Sequence, residues 1–371
     1  MYWFRGQIEL HRMEELLAAM NYRGKINMDY TNMLDRFGVM IEDELKEILA
    51  QEVEEAKDYH PFMGDSFRVL QDFLLRGGRR LASASTLIVY QGYKCEIDRD
   101  IINAACGIEL YRHSILAHDD IADAEMQRRG GKTLHRTWAE GFDDRFGVGC
   151  AIFAGNILYS LAINTILRSG FDGNLLMQVI DILSSDFQDI NESQMLDLLF
   201  EYKEPTQEEW EVMAGKRAAS LFRTALTTGA ILASAPEKDI PLLHNAAKHI
   251  GFAFDIQDDI IDTFASQEEY GREPGGDILK RKKPLHLILA MNRDEGFASL
   301  MKGDMELKEE NIPAMKEIIR NCGALDEAKS ISLRHGREAQ SLISQTEMND
   351  EAKGFFISLI GYVVESLEWY K

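Results

Sequence analysis

Apolar residues recur along this chain at spacings of three and four, and no long segment alternates apolar with polar. That period gathers them on one face of a helix rather than on the alternating faces of a strand. The pattern therefore predicts helices almost throughout and no sheet. Breaks fall at Pro61, Arg76-Gly77-Gly78, Gly92, Arg129-Gly130-Gly131, Gly170 to Gly173, Glu204-Pro205, Ala235-Pro236, Pro274-Gly275-Gly276 and Asn311-Ile312-Pro313. Gly and Pro are the strongest local terminators, and they leave segments of roughly 15 to 30 residues between them. An all-α bundle of roughly ten or more helices with short loops follows.

Three segments call for comment. Residues 36–58, rich in Glu and Lys around Leu45, Ile48, Leu49 and Val53, predict an amphipathic helix whose charges form a solvated face. Residues 1–35 read as an N-terminal appendage, with Met28 and Met33 as alternative starts, ahead of a single domain over 36–371. Phe146 to Leu167 carries no charged residue or His and is long enough to span a bilayer. It also carries Gly147, Gly149, Gly155, Asn156, Ser160 and Asn164, which suit a helix at the centre of a bundle better than one facing lipid. No transmembrane segment is therefore expected.

Composition adds limits. With 45% apolar residues the chain can bury a sizeable core, and its net charge of −21 argues against nucleic acid, whose phosphates need a basic face. A small phosphorylated ligand answers only to local charge and stays open. Cys95, Cys106, Cys150 and Cys322 lack metal or redox spacing and read as reduced, mostly buried residues of a cytoplasmic protein. The apolar start Met1-Tyr2-Trp3-Phe4 is too short for a secretory signal.

The chemistry lies in two acidic clusters. Asp119, Asp120 and Asp123 share their internal spacing with Asp258, Asp259 and Asp262. Positions i and i+4 share a helix face, where like charges cost about 0.2–0.5 kcal/mol per pair on an isolated helix. Apolar neighbours (Ile108, Ile115 and Leu116; Ile250, Phe252 and Phe254) place both clusters next to core, where carboxylates need a countercharge. One such triplet alone is more often a solvated helix end; two of identical spacing point to a shared role. Carboxylates without His or Cys ligands suit Mg²⁺, which prefers a few carboxylates plus substrate phosphate. His118 lacks ligand-spaced partners and reads as a structural hydrogen-bonder. Arg79-Arg80 follow Gly77-Gly78 at a helix entry, a natural anion site. Arg128-Arg129 follow the first cluster and precede a second Gly pair. An isolated Arg pair is usually surface charge, but beside Gly pairs in so acidic a chain it suits phosphate.

From about residue 40 to the C-terminus these residues together resemble the polyprenyl synthetase family, the trans-isoprenyl diphosphate synthases. His118-Asp119-Asp120-Ile121-Ala122-Asp123 with Arg128-Arg129-Gly130 is similar to the family's first aspartate-rich motif, and Phe254 to Asp262 to the second. Gly77-Gly78-Arg79-Arg80 resembles the family's Gly-Gly-Lys-Arg loop. Gln194 with Asp197 resembles the Gln-x-x-Asp of a central helix, and Gly275-Gly276-Asp277 with Lys282 the segment after the second motif. The resemblance implies an isoprenoid synthase fold, mostly antiparallel helices around a central cavity, and a homodimer. It also implies about three Mg²⁺ ions at Asp119, Asp123, Asp258 and Asp262, which would draw diphosphate off an allylic substrate. The allylic cation is then attacked by isopentenyl diphosphate, and a proton is lost to the departing diphosphate.

The chain departs from the family at several positions. The loop Lys is Arg79, the Arg three positions on is Ala82, and the His seven residues before the first Asp is Arg112. All three normally grip isopentenyl diphosphate, so the loss at 82 and the gain at 112 suggest a compensating exchange. At the allylic site Lys-Thr is Arg217-Ala218, and the loop Lys after the second motif is Arg272. A Gln before Asp258 is Asp255, which faces either a metal or an Arg, and an Asp of the uncharged helix is Asn156.

In the family the product tail grows along the helix before the first motif. Ser114 and Ile115 are not bulky stops, whereas Tyr111, eight residues before Asp119 or roughly 12 Å away, could be the floor. A product of roughly twenty carbons or longer is expected. Two other readings remain on the same fold: a terpene cyclase or unusual coupling enzyme, and a non-catalytic partner subunit. The intact second aspartate triplet and Gly-Gly-Arg-Arg loop speak against the first, and retention of both aspartate motifs against the second.

Overall fold

Helix α1 (Tyr30–Tyr59) buries Leu34, Phe37, Ile41, Leu45, Leu49 and Val53, a stripe spaced by three and four, and leaves its Glu and Lys residues toward solvent. It starts the described part of the computed structural model, which covers residues 30–266, 274–303 and 307–369. Tyr30, Met33 and Leu34 are buried, so the packed domain begins before the expected boundary at residue 36. Residues 1–29, including the candidate start Met28, lie outside the described part, as does Arg272.

Further helices follow with short connections: α2 (Pro61–Leu75), α3 (Leu81–Lys94), α4 (Arg99–Ala122), α5 (Leu134–Ala139), α6 (Asp144–Leu167), α7 (Gly173–Tyr202), α8 (Gln207–Leu232) and α9 (Asp239–Phe264). Then come α10 (Gly276–Leu279), α11 (Leu285–Arg293), α12 (Glu295–Lys302), α13 (Ile312–Asn321), α14 (Ala324–Gln345) and α15 (Asp350–Glu365). Their starts are written locally. Asp98 caps α4 at Ile101 N (3.0 Å), Asp143 caps α6 at Phe146 N (2.7 Å), and Thr206 with Glu209 forms a reciprocal capping box on α8.

Two cores divide the work. The larger joins α1, α3, α4, α6, the second half of α8 and the first half of α9; the smaller packs Trp210, Phe252, Ile256 and Ile260 against α11, α13 and α14. The smaller core underlies the last turns of α9, which carry the second aspartate cluster.

Three expectations are corrected. Gly92 lies inside α3 rather than at a break, where a Cβ would stand 2.9 Å from that of Ala352: it is a close-packing glycine. A two-stranded hairpin interrupts the helices, with Gln127 opposite Lys132 and Arg128 opposite Gly131. Its central residues Arg129 and Gly130 both have positive φ (50° and 76°), as a type I′ turn requires. Strands of two residues carry no readable period. Finally, α6 is not central. One face packs on α4, but Ile152 (41%) and Phe153 (67%) are exposed, and only about 33% of its apolar stretch is buried within the described chain. It remains long and apolar enough to cross a membrane by length and composition.

Candidate active site

The first cluster sits where α4 ends. Asp119 and Asp120 lie in its last turn, and Asp123 is the capping residue just beyond, its amide bonded to Asp119 O at 2.8 Å. Asp255, Asp258, Asp259 and Asp262 occupy the last turns of α9. Gln194 and Asp197 come from α7, Arg217 from α8, and Lys282 from the loop after α10. A cavity of about 270 Å³ brings these together, lined by Asp119, Asp123, Arg128, Gln194, Asp197, Arg217, Asp255, Asp258, Asp259, Asp262 and Lys282.

The sequence reading missed Glu125, Asp277, Lys283 and Pro284, which also line it. Asp277 stands in the Gly-Gly-Asp segment quoted above, and its amide donates to Asp262 Oδ1 at 3.1 Å. Glu125 and Lys283 had no motif to flag them. Lys280 Nζ bonds both Asp123 O (2.9 Å) and Glu125 (2.7 Å), tying the loop after α10 to the end of α4.

Nine carboxylates and four basic side chains line the cavity, a formal excess of five negative charges were all of them ionised. The crowding shows in the pKa values. Burial and Asp123 raise Asp119 to about 6, and burial with Asp262 raises Asp277 to about 7. Burial, Asp255 and Asp277 push Asp259 well above the ordinary carboxylate range. One oxygen each of Asp123 and Asp259 is buried without a hydrogen bond. Such a donor set fits hard divalent cations. As the side chains stand, however, no three acidic, His or Cys groups among the described residues converge closely enough to hold a metal. Cations fill that role instead: Lys282 Nζ lies 2.7 Å from Asp123, and Arg128 lies 3.3 Å from Asp119.

Asp120 does not line the cavity. It is fully buried, and its Oδ1 accepts from Arg128 Nε at 2.6 Å, so it orients Arg128. Of the two partners expected for Asp255, an Arg is the one it meets in this structure. Arg217 donates to Asp255 at 2.8 Å and meets Asp197 at 3.1 Å, and despite burial these carboxylates hold the guanidinium pKa well above its ordinary value.

The basic residues split. Arg80 is withdrawn as a ligand: it is 3% exposed and donates to buried Glu109 at 3.0 Å. Burial opposes ionisation of Glu109, yet His113, Arg80 and the Ser83 hydroxyl hold its pKa down at about 2. Arg79 is exposed. Among the described residues Arg112 makes no hydrogen bond or ion pair, and its charged neighbours are Glu109, Arg128, Asp119 and Asp258. Arg129 donates to Gly77 O at 2.9 Å; burial and Arg112 lower its pKa to about 10. Guanidinium groups that depress one another call for an anion.

Midway along α4, Tyr111 is fully buried beside Thr224, and its hydroxyl makes no well-formed hydrogen bond among the described residues. Phe187 from α7 meets it edge-on at 6.1 Å and stacks on Tyr159 from α6 at 4.0 Å. Neither ring was legible in the sequence. Ser114 is turned to its own helix, donating to Tyr111 O at 2.8 Å, and Ile115 is half-buried. His118 Nε2 lies 3.2 Å from Ile152 O on α6, a structural contact as expected, and Asn156 is exposed away from the cavity.

The sequence signature described as Polyprenyl synthetase matches residues 66–322. The chain is 31% identical to the short chain isoprenyl diphosphate synthase of Methanocaldococcus jannaschii over 292 residues, 78% of this chain and 86% of the relative. It is 29% identical to the geranylgeranyl diphosphate synthase of Methanosarcina mazei, covering 71% and 78% of the two chains. In fold it is similar to the crystal structure of geranylgeranyl pyrophosphate synthase from Corynebacterium glutamicum complexed with isoprenyl diphosphate and magnesium. That similarity has a TM-score of 0.83 at 24% identity, over 90% of this chain and 99% of that one.

Proposed function

Because the chain belongs to the polyprenyl synthetase family, and is thus a prenyltransferase, we propose that it joins isopentenyl diphosphate head to tail to an allylic diphosphate, giving polyprenyl diphosphates of roughly twenty carbons or longer. The observation that carries this reading is the pairing of a cavity in which carboxylates outnumber basic side chains nine to four with a separate group of guanidinium side chains that make no ion pair among the described residues. A cyclase handles one diphosphate; a second anion site is what an elongating enzyme needs.

Asp119, Asp123, Asp258 and Asp262 are the residues to hold Mg²⁺, about three ions per site. When bound, the ions supply charge neutralisation and Lewis acidity toward the leaving diphosphate. Arg128, Arg217 and Lys282, already on the cavity wall, grip the allylic diphosphate and keep its reacting carbon in place. Arg79, Arg112 and Arg129 hold the diphosphate of isopentenyl diphosphate, so that its double bond faces that carbon. As the new C–C bond forms, the released proton passes to the departing diphosphate. The growing tail passes Ile115 toward Tyr111 and Phe187, apolar surroundings that keep water from the carbocation.

The chain acts as a homodimer through the exposed face of α6, where Ile152 and Phe153 would otherwise meet water. Its four cysteines are unpaired, which suits the cytoplasm. The test is incubation of purified protein with Mg²⁺, labelled isopentenyl diphosphate and allylic primers of several lengths. A polyprenyl diphosphate that disappears with a chelator is expected. A hydrocarbon or alcohol product, or no turnover without another chain, would overturn the reading.

A further inference from the structure

Arg129 stands at the tip of the hairpin with φ 50°, a conformation disfavoured for a residue with a Cβ. Something must hold it there. Its Nη1 donates to Gly77 O at 2.9 Å and also lies 3.2 Å from Nε2 of His113 on α4. The guanidinium rests on bare backbone: a Cβ on Gly78 would stand 2.9 Å from its Cζ.

The state of His113 follows from its partners. Its Nδ1 lies 2.9 Å from Glu109 O, and a carbonyl can only accept, so Nδ1 carries the hydrogen. Arginine can only donate, so Nε2 offers its lone pair. The ring is 1% exposed and packs edge-on against Phe73 at 5.7 Å, which leaves it one orientation. Burial holds its pKa down to about 4, so the neutral form prevails at neutral pH. His113 does not line the cavity and belongs to none of the motifs above.

We propose that His113 is a positioning residue for the acceptor: its Nε2 holds the Arg129 guanidinium over the Gly77-Gly78 loop, beside Arg79 in sequence, where it meets the diphosphate of isopentenyl diphosphate. The inference rests on the reading of Arg129 as an acceptor ligand.

The test is calorimetric binding of isopentenyl diphosphate and, separately, of farnesyl diphosphate to the full chain. His113→Phe keeps an aromatic shape without the acceptor atom, whereas the amide oxygen of His113→Gln can reach the Nε2 position. A hydrogen bond to a charged group contributes about 1.5–3 kcal/mol, so His113→Phe should weaken isopentenyl diphosphate binding roughly tenfold or more and change farnesyl diphosphate binding less than about twofold. His113→Gln should recover most of the loss. In an Arg129→Ala background, His113→Phe should add nothing. Equal weakening of both ligands, no rescue by Gln, or an undiminished effect without Arg129 overturns the proposal. So does a wild-type chain that does not bind isopentenyl diphosphate. Binding without turnover on any primer sinks the condensation reading alone. Should His113→Phe not fold, His113→Asn, whose amide stops short of Nε2, replaces it with the same expectation.

Discussion

Arg217 on α8 donates to Asp255 on α9 at 2.8 Å and reaches Asp197 on α7 at 3.1 Å, so one guanidinium ties three helices together at the cavity wall. The family pattern has Lys and Gln where this chain has Arg217 and Asp255, and the two changes form one unit: an added charge and its countercharge. Asp255 competes with the substrate diphosphate for Arg217. Asp255→Gln should therefore lower the KM for the allylic diphosphate by about threefold, leaving the Mg²⁺ requirement in place. Melting should fall by only a few degrees, since Asp197 still pairs the guanidinium. A large rise in the Mg²⁺ concentration needed for activity would instead make Asp255 a metal ligand.

Arg112 is half-buried near the cavity's first aspartate and makes no hydrogen bond or ion pair among the described residues. Its neighbours by charge are Glu109, Arg128, Asp119 and Asp258, and it replaces a family His while the loop loses an Arg at Ala82. Arg112→Ala should raise the KM for isopentenyl diphosphate by about tenfold or more, the order of one charge-assisted hydrogen bond, with little change in the allylic KM. Steady-state kinetics with each substrate varied in turn checks this. An unchanged KM removes the idea of a compensating exchange.

The aspartate clusters and Arg217 were legible because their residue types and spacings survive without knowledge of packing. Arg80 was not: Gly-Gly-Arg-Arg reads the same whether the second Arg faces substrate or the interior, and only buried Glu109 decides. The position of α6 was misread for a related reason. A stretch without charges reports that its faces meet apolar surroundings, not whether those surroundings belong to the same chain. Phe187 and Tyr159 reach Tyr111 from helices distant in sequence, and no local pattern records such a meeting.

Tyr111 allows the tail's limit and the fold's stability to be separated. Its hydroxyl is buried without a well-formed hydrogen bond among the described residues, so Tyr111→Phe should leave melting unchanged or slightly raised, with the same product. Tyr111→Ala should lengthen the product by opening the space against Phe187, while costing about 3–5 kcal/mol for a lost buried ring. Chromatography of dephosphorylated products resolves the two. An unchanged chain length in Tyr111→Ala would assign the floor elsewhere.

The metal-free enzyme should lose stability as pH rises above about 6.5, the ordinary histidine pKa. Asp277 is raised to about 7 and Asp259 is pushed well above its ordinary range, so both bind protons more tightly folded than unfolded. Such groups stabilise the fold at low pH and withdraw that stability as they ionise. Below about pH 6.5 the trend is opposed, because His113 and His335 are held near 4 and His286 near 3. Those histidines bind protons more readily unfolded, so their stability grows as pH rises toward 6.5. Above that window only the carboxylates remain. Melting of the chelator-treated protein from pH 6.5 to 8 should fall, and less steeply in Asp277→Asn. Mg²⁺ with inorganic pyrophosphate should flatten the slope by supplying the missing positive charge. A melting temperature that climbs across that window would show that the cavity's carboxylates are already ionised and matched by the cations beside them.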